Sequence, residues 1–153
     1  MPDIAIVLGS ESDMPKIKDC FKTLEEFNVS FEILISSAHR TPEKTRDWAN
    51  SARGRGVKVI IAAAGGAAHL PGVVASHTTL PVIGIPIETS VGGGIDSILS
   101  IIQMPGGIPV AAMSSGKAGG INAALMALSI LSVNNQPLAD KLASYRKKME
   151  EKI

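Results

Sequence analysis

Five short apolar runs recur along the chain, and the segments between them carry helical rather than extended periodicity. The runs are Asp3–Leu8 (DIAIVL), Phe31–Ser36 (FEILIS), Val57–Ala62 (VKVIIA), Pro81–Ile85 (PVIGI) and Pro109–Met113 (PVAAM), each of strand length. VKVIIA is apolar enough to be covered on both faces. Between the runs, Ile17, Cys20, Phe21, Leu24 and Phe27 fall on one helix face. Thr41 followed by Pro42 starts a helix, because proline's missing N–H is harmless at the first helical position. That helix is predicted to stop near Arg55, between Gly54 and Gly56. Gly72 to Ser76 reads as a brief helix, and Ile95, Ile98, Leu99 and Ile102 mark another. Ile121 to Ser132 is apolar nearly all round, which places it in the interior or at a subunit contact. Leu138, Leu142, Tyr145 and Met149 give a last amphipathic helix, about 138–152, expected at a subunit contact. Strands alternating with helices form a parallel sheet covered on both faces. The expectation is one three-layer α/β domain over residues 1–153 with a central parallel sheet of five strands.

The bulk numbers narrow the class. A chain of 153 residues is long enough for a real core, and with only 3% aromatic residues that core must come from Ile, Val, Leu and Ala. A net charge of +1 carries no footprint for nucleic acid or anionic membrane. The single cysteine, Cys20, cannot form an intramolecular disulfide and suits a reducing compartment. The start MPDIAIVLGS lacks a basic leader region, and no apolar stretch reaches the roughly 20 residues of a membrane helix. A cytoplasmic protein with no nucleic-acid or membrane partner is expected.

In an open parallel sheet, ligands bind beyond the carboxyl ends of the strands, where strand order reverses. The loops leaving the first three strands are GSESD (Gly9–Asp13), SSAHRTP (Ser36–Pro42) and AAGGAAHLPG (Ala63–Gly72), and all three belong at that edge. GSESD offers Ser10, Ser12 and Asp13 at a helix start, which suits a phosphate and sugar hydroxyls. Equally, Ser12 or Asp13 simply caps the helix. SSAHRTP brings Ser37 and Arg40, whose guanidinium suits phosphate, beside His39, a residue type suited to acid–base chemistry. His69 either lines the site or bonds to backbone, whereas His77, Trp48 and Cys20 read as structural. AAAGGAAHLPG is almost pure backbone, so it is either a tight packing corner or a place where a small ligand approaches the main chain.

Absences also inform. No GxxxxGK[ST] loop or GxGxxG fingerprint is present, so ATP and dinucleotides lack their usual cradle. No GxSxG elbow supports a serine nucleophile. The three histidines have neither HxxxH nor HxH spacing, so no metal site is expected. The residues by themselves point to a small phosphorylated ligand and histidine acid–base chemistry.

Taken together and in order, GSESD, SAHRTP and AGGAAHLPG, followed by DSILSIIQMPGGIPV (Asp96–Val110), closely resemble the PurE family of purine biosynthesis. The likeness runs from the first strand to the helix around Asn122 to Leu131. It implies a flavodoxin-like fold and a homo-octamer. It also implies, for class I members, an isomerase that moves a carboxyl group of N5-carboxyaminoimidazole ribonucleotide (N5-CAIR) from the exocyclic nitrogen to ring carbon C4, with transient CO2 and no cofactor or metal. By resemblance, Ser10, Asp13 and Arg40 hold the ribose phosphate, with Ser12 and Ser37 as neighbours. His39 is the general acid/base, and His69 lies near the migrating carboxyl group. Gly65, Gly66, Ala67 and Leu70 contact the substrate, the glycines offering N–H groups to a carboxylate. Class II relatives, which carboxylate aminoimidazole ribonucleotide (AIR) with free CO2, usually carry Lys where Arg40 stands and depart from AGGAAHLPG. This chain keeps the class I forms. A class II carboxylase and a phosphonucleotide-binding module without turnover are the rival readings, and the loop TSVGGGID (89–96) has no assigned role.

Overall fold

The apolar runs assemble into one sheet. In a computed structural model describing residues 1–153, β1 (Ile4–Leu8), β2 (Phe31–Ile35), β3 (Val59–Gly65), β4 (Val82–Ile87) and β5 (Ala111–Ala112) lie in the order β2-β1-β3-β4-β5. Every pairing is parallel. This is the flavodoxin-like order, with its switch point between β1 and β3. The helices are α1 (Lys18–Glu26), α2 (Pro42–Ser51), α3 (Leu70–Ser76), α4 (Ile95–Ile102), α5 (Gly116–Ser132) and α6 (Gln136–Glu150). None is long and apolar enough to cross a membrane.

Strand alternation divides the interior into two cores. Ile4, Ile6, Leu8, Val59, Ile61 and Ala63 face a layer built from α1, α5 and the start of α6. Ala5, Val7, Ile60, Ala62 and Ala64 face α2, α3 and α4. Every residue of β1 is 0% exposed, which is why the run is apolar throughout rather than alternating. Each fully buried Ile or Leu contributes ~1.5–3 kcal/mol, so the sheet is held by its centre and not by the two-residue edge strand β5.

Several boundaries differ from the sequence reading, β5 among them, which shrinks from Pro109–Met113 to Ala111–Ala112. A 3-10 helix, Glu11–Ile17, precedes α1, so the GSESD loop is already helical from Glu11. Its cap is Ser10, not Ser12 or Asp13: Ser10 is extended and its Oγ accepts from the Ser12 N–H at 3.3 Å. β3 runs on to Gly65 instead of ending at Ala62, because Ala64 and Gly65 stay in register with Pro86 and Ile87 of β4. α5 begins at Gly116 rather than Ile121. Gly119 and Gly120 look like helix breakers, but Gly119 leaves room for the Ser114 carbonyl and Gly120 lets α5 approach α1, since a Cβ on Gly120 would stand 3.2 Å from the backbone nitrogen of Cys20. The helix predicted to end near Arg55 does so through a short 3-10 turn, Arg53–Arg55, closed by Gly56 in the left-handed region.

Cys20 lies at the contact between α1 and α5, and burial pushes its thiol up to about 12. The thiolate is the nucleophile, and below that value the folded chain holds almost none of it. Iodoacetamide at pH 8 is therefore expected to leave native protein unlabelled and to label it fully in denaturant. Prompt labelling without denaturant would mean that α1 and α5 separate readily.

Candidate active site

The carboxyl ends of β2, β1 and β3 lie side by side, so the three loops meet around one cavity of about 310 Å³. The β1 loop contributes Gly9, Ser10 and Asp13, and the β2 loop contributes Ser37, Ala38, His39 and Arg40. The end of β3 and the turn after it supply Ala64, Gly65, Ala67, Ala68, His69 and Leu70. Nine of the residues singled out from the sequence thus share one cavity: Ser10, Asp13, Ser37, His39, Arg40, Gly65, Ala67, His69 and Leu70. Ser12 and Gly66 do not line it. Ser12 is one step back, its Oγ 2.9 Å from that of Ser10.

The two histidines are in direct contact. His39 Nε2 lies 2.5 Å from His69 Nδ1, with the rings nearly perpendicular at 87°. One nitrogen must donate and the other accept, so a single proton lies between them. His69 therefore bonds to a side chain from another loop, which the sequence left undecided.

Charge in the cavity is unevenly placed. Arg40 makes no ion pair; its Nη2 makes only a long contact, 3.4 Å, to the carbonyl of Gly9. Asp13 is held by Lys16 at 3.6 Å. A free guanidinium beside serine hydroxyls suits a phosphate, and a carboxylate suits hydroxyl donors. Nowhere do three His, Cys, Asp or Glu side chains come together as a metal-binding set.

Each histidine loop is braced from behind by buried hydroxyls. Ser36 Oγ bonds to Thr41 Oγ1 at 3.0 Å and to Thr45 Oγ1 at 2.8 Å. Thr41 Oγ1 in turn accepts from the Ser37 N–H, and the Arg40 N–H donates to Ser37 Oγ. The tripeptide Ala38–Arg40 is thereby closed into a tight turn on the start of α2. The β3 turn needs two left-handed residues, Gly66 at φ +68° and Ala68 at φ +41°. Only the first is cost-free, since a side chain at positive φ is strained.

Gly66 corrects the expectation of free glycine N–H groups. Its N–H donates to Ser97 Oγ on α4 at 2.9 Å and is not available to a ligand in the cavity. Ser97 Oγ–H donates to the Ile87 carbonyl at 2.7 Å. Asp96, next in α4, accepts from Thr89 Oγ1 and from the Ser97 N–H; the Thr89 hydroxyl chiefly holds its carboxyl below the usual range. The loop 89–96 lies outside the histidine cavity, and Thr89 and Ser90 line a separate one with Lys16, Lys18 and Lys117. Sequence reading noted Ser36 only as one of the two serines of its loop and passed over Thr45 and Ser97, although a hydroxyl on an otherwise apolar helix face is the available signal for the last.

A family profile described as AIR carboxylase matches residues 3–152, nearly the whole chain. The chain belongs to the AIR carboxylase, or PurE, family. A Pyrococcus abyssi protein named N5-carboxyaminoimidazole ribonucleotide mutase is 52% identical over 150 residues, 98% of this chain and 85% of that one. A Bacillus subtilis protein of the same name is 51% identical over 152 residues, covering 99% and 94%. Among solved structures, Treponema denticola PurE superposes with a TM-score of 0.90 at 30% identity, over 99% of this chain and 94% of that one.

Proposed function

We propose that this PurE chain is an N5-carboxyaminoimidazole ribonucleotide mutase, an isomerase of purine biosynthesis, and that the observation carrying its chemistry is the His39–His69 contact in a cavity that also holds Arg40 and Asp13. Arg40, with Ser10 and Ser37, takes the phosphate, and Asp13 takes ribose hydroxyls. Ser12 supports Ser10, while Ala67, Gly65 and Leu70 form the wall against the imidazole ring of the substrate.

His39 moves one proton out and back. As the bond between the exocyclic nitrogen and the carboxyl carbon breaks, CO2 leaves and His39 protonates that nitrogen, giving AIR. The electron-rich C4 then attacks the trapped CO2, and the new C–C bond makes C4 tetrahedral. The now neutral His39 removes the C4 proton, which restores the aromatic ring and leaves His39 as it began. A group that both gives and takes a proton works best with a pKa near ambient pH, which imidazole supplies. His69, bonded to His39, sits beside the migrating carboxyl group. Keeping CO2 next to C4 makes the second step effectively unimolecular, worth about several kcal/mol of the barrier.

The deciding experiment supplies AIR, bicarbonate and ATP with and without the synthetase that makes N5-CAIR. Product formed only when the synthetase is present supports the mutase. Efficient turnover of AIR with CO2 alone makes the chain a class II carboxylase, and binding without turnover under either condition leaves only a nucleotide-binding module.

We also place the enzyme in the cytosol, as a homo-octamer. The support for self-association is apolar surface: Ile95, Leu99 and Ile102 form an exposed stripe along α4, and Met126 on α5 is 42% exposed. Light scattering on the purified protein should give about eight times the chain mass of 15.9 kDa.

A further inference from the structure

The β3 turn that delivers His69 has little to hold it in place. Ala67 and His69 are exposed, and Ala68 sits at φ +41°, a conformation that a residue with a Cβ leaves when it can. Within the turn there is one short-range main-chain bond, from the Ala68 N–H to the Gly65 carbonyl at 3.2 Å. The other tether comes from α4. Ser97 is 0% exposed, and its hydroxyl is used twice, donating to the Ile87 carbonyl at 2.7 Å and accepting from the Gly66 N–H at 2.9 Å. It therefore ties the end of β4 to the turn after β3, three residues before His69.

We infer that Ser97 is a positioning residue for the reaction: through the Gly66 N–H it fixes the β3 turn so that His69 Nδ1 stays against His39 Nε2. This inference rests on the mutase reading of the histidine cavity. Neighbours strengthen the clamp. Ser97's own N–H donates to Asp96 Oδ1 at 2.9 Å, and Thr89 Oγ1 donates to the same oxygen at 2.7 Å, so the first turn of α4 is itself held. Ser100 Oγ donates to the Asp96 carbonyl at 2.7 Å and makes a longer contact, 3.4 Å, with the Gly66 carbonyl. A chain of hydrogen bonds thus leads from the loop 89–96 through α4 to Gly66, in the turn that carries His69. It gives that loop a role although no residue of it lines the cavity.

Ser97→Ala removes an acceptor from a main-chain N–H and a donor from a main-chain carbonyl. The turn is then free to relax Ala68 and to withdraw His69. A displacement of about 1 Å is enough to cost on the order of 100-fold in rate, so kcat is expected to fall about 10- to 100-fold. KM for the nucleotide should change less than kcat, because Ser10, Asp13 and Arg40, which take the phosphate and ribose, belong to other loops. Rate alone does not separate positioning from general damage, so two further readouts are needed. The first is the through-hydrogen-bond coupling between His39 Nε2 and His69 Nδ1 in 15N imidazole spectra, present in the parent and lost in the variant. The second is Thr23→Ala, which deletes another buried residue's hydroxyl, bonded to the Asp19 carbonyl within α1, and should lower stability with kcat unchanged. Ser97→Thr, which keeps the hydroxyl, should restore both rate and coupling. If Ser97→Ala folds poorly, Ser97→Cys replaces it: similar in size but a weak donor and acceptor, it should show an intermediate loss. Parental kcat and intact coupling in either variant would reduce Ser97 to packing. A parent without mutase activity would overturn the functional reading alone, and the imidazole coupling would still decide the role of Ser97.

Discussion

Replacing His39 with asparagine is expected to lower kcat by about two to four orders of magnitude, the usual weight of a positioned general acid or base. Nucleotide affinity should be nearly unchanged. Asparagine is close to imidazole in reach and still offers a hydrogen bond toward His69 Nδ1, so the loop geometry survives. What it lacks is a proton it can give and take back, and both halves of the proposed reaction need one. The binding determinants, Arg40 and Asp13, are bonded to Gly9 and Lys16, not to the histidine. Calorimetric binding of the product nucleotide together with steady-state rates separates the two effects. Turnover at the parental rate would show that His39 is not the proton carrier, and lost binding with lost rate would make it a structural residue of the loop.

How far such a site can be read from sequence depends on whether the cause of each feature is local. β1 and most of β3 were legible because strands covered on both faces are apolar at every position, as Ile4 to Leu8 are. The end of β3 was not. Ala63, Ala64 and Gly65 carry no strand signal of their own and stay extended only because β4 continues beside them. The start of α5 was hidden for a related reason, since Gly119 and Gly120 answer to the closeness of another backbone, not to helix propensity. Loop residues gathered at one sheet edge follow from topology, so nine of them could be placed in advance. The contact between His39 and His69 could not, because it depends on the left-handed turn at Gly66 and Ala68. Ser97 was out of reach as well: its two partners, Ile87 and Gly66, lie 10 and 31 residues away along the chain.

Enlarging Ala67 to leucine is expected to lower kcat/KM by about 100-fold or more with the fold intact, the scale of a substrate pushed roughly 1 Å from its place. The stretch Ala62 to Gly72 contains small residues for two different reasons, and this substitution separates them. Gly65 is small because of packing: a Cβ there would stand 3.2 Å from the Cβ of Ile87, so Gly65→Val disturbs the β3–β4 junction and the cavity together. Gly66 is small because of its φ of +68°. Ala67 is under neither constraint. Its backbone is ordinary, it is exposed, and it lines a cavity of about 310 Å³ that must admit an imidazole ring and a carboxyl group. Leucine there fills room meant for the substrate while adding no buried strain, so thermal stability should match the parent. A variant with parental stability and parental kcat/KM would mean that the space beside Ala67 is not where the substrate ring sits. A variant that loses stability as well would assign Ala67 to packing, like Gly65, and the small residues of this turn would then serve the sheet more than the ligand.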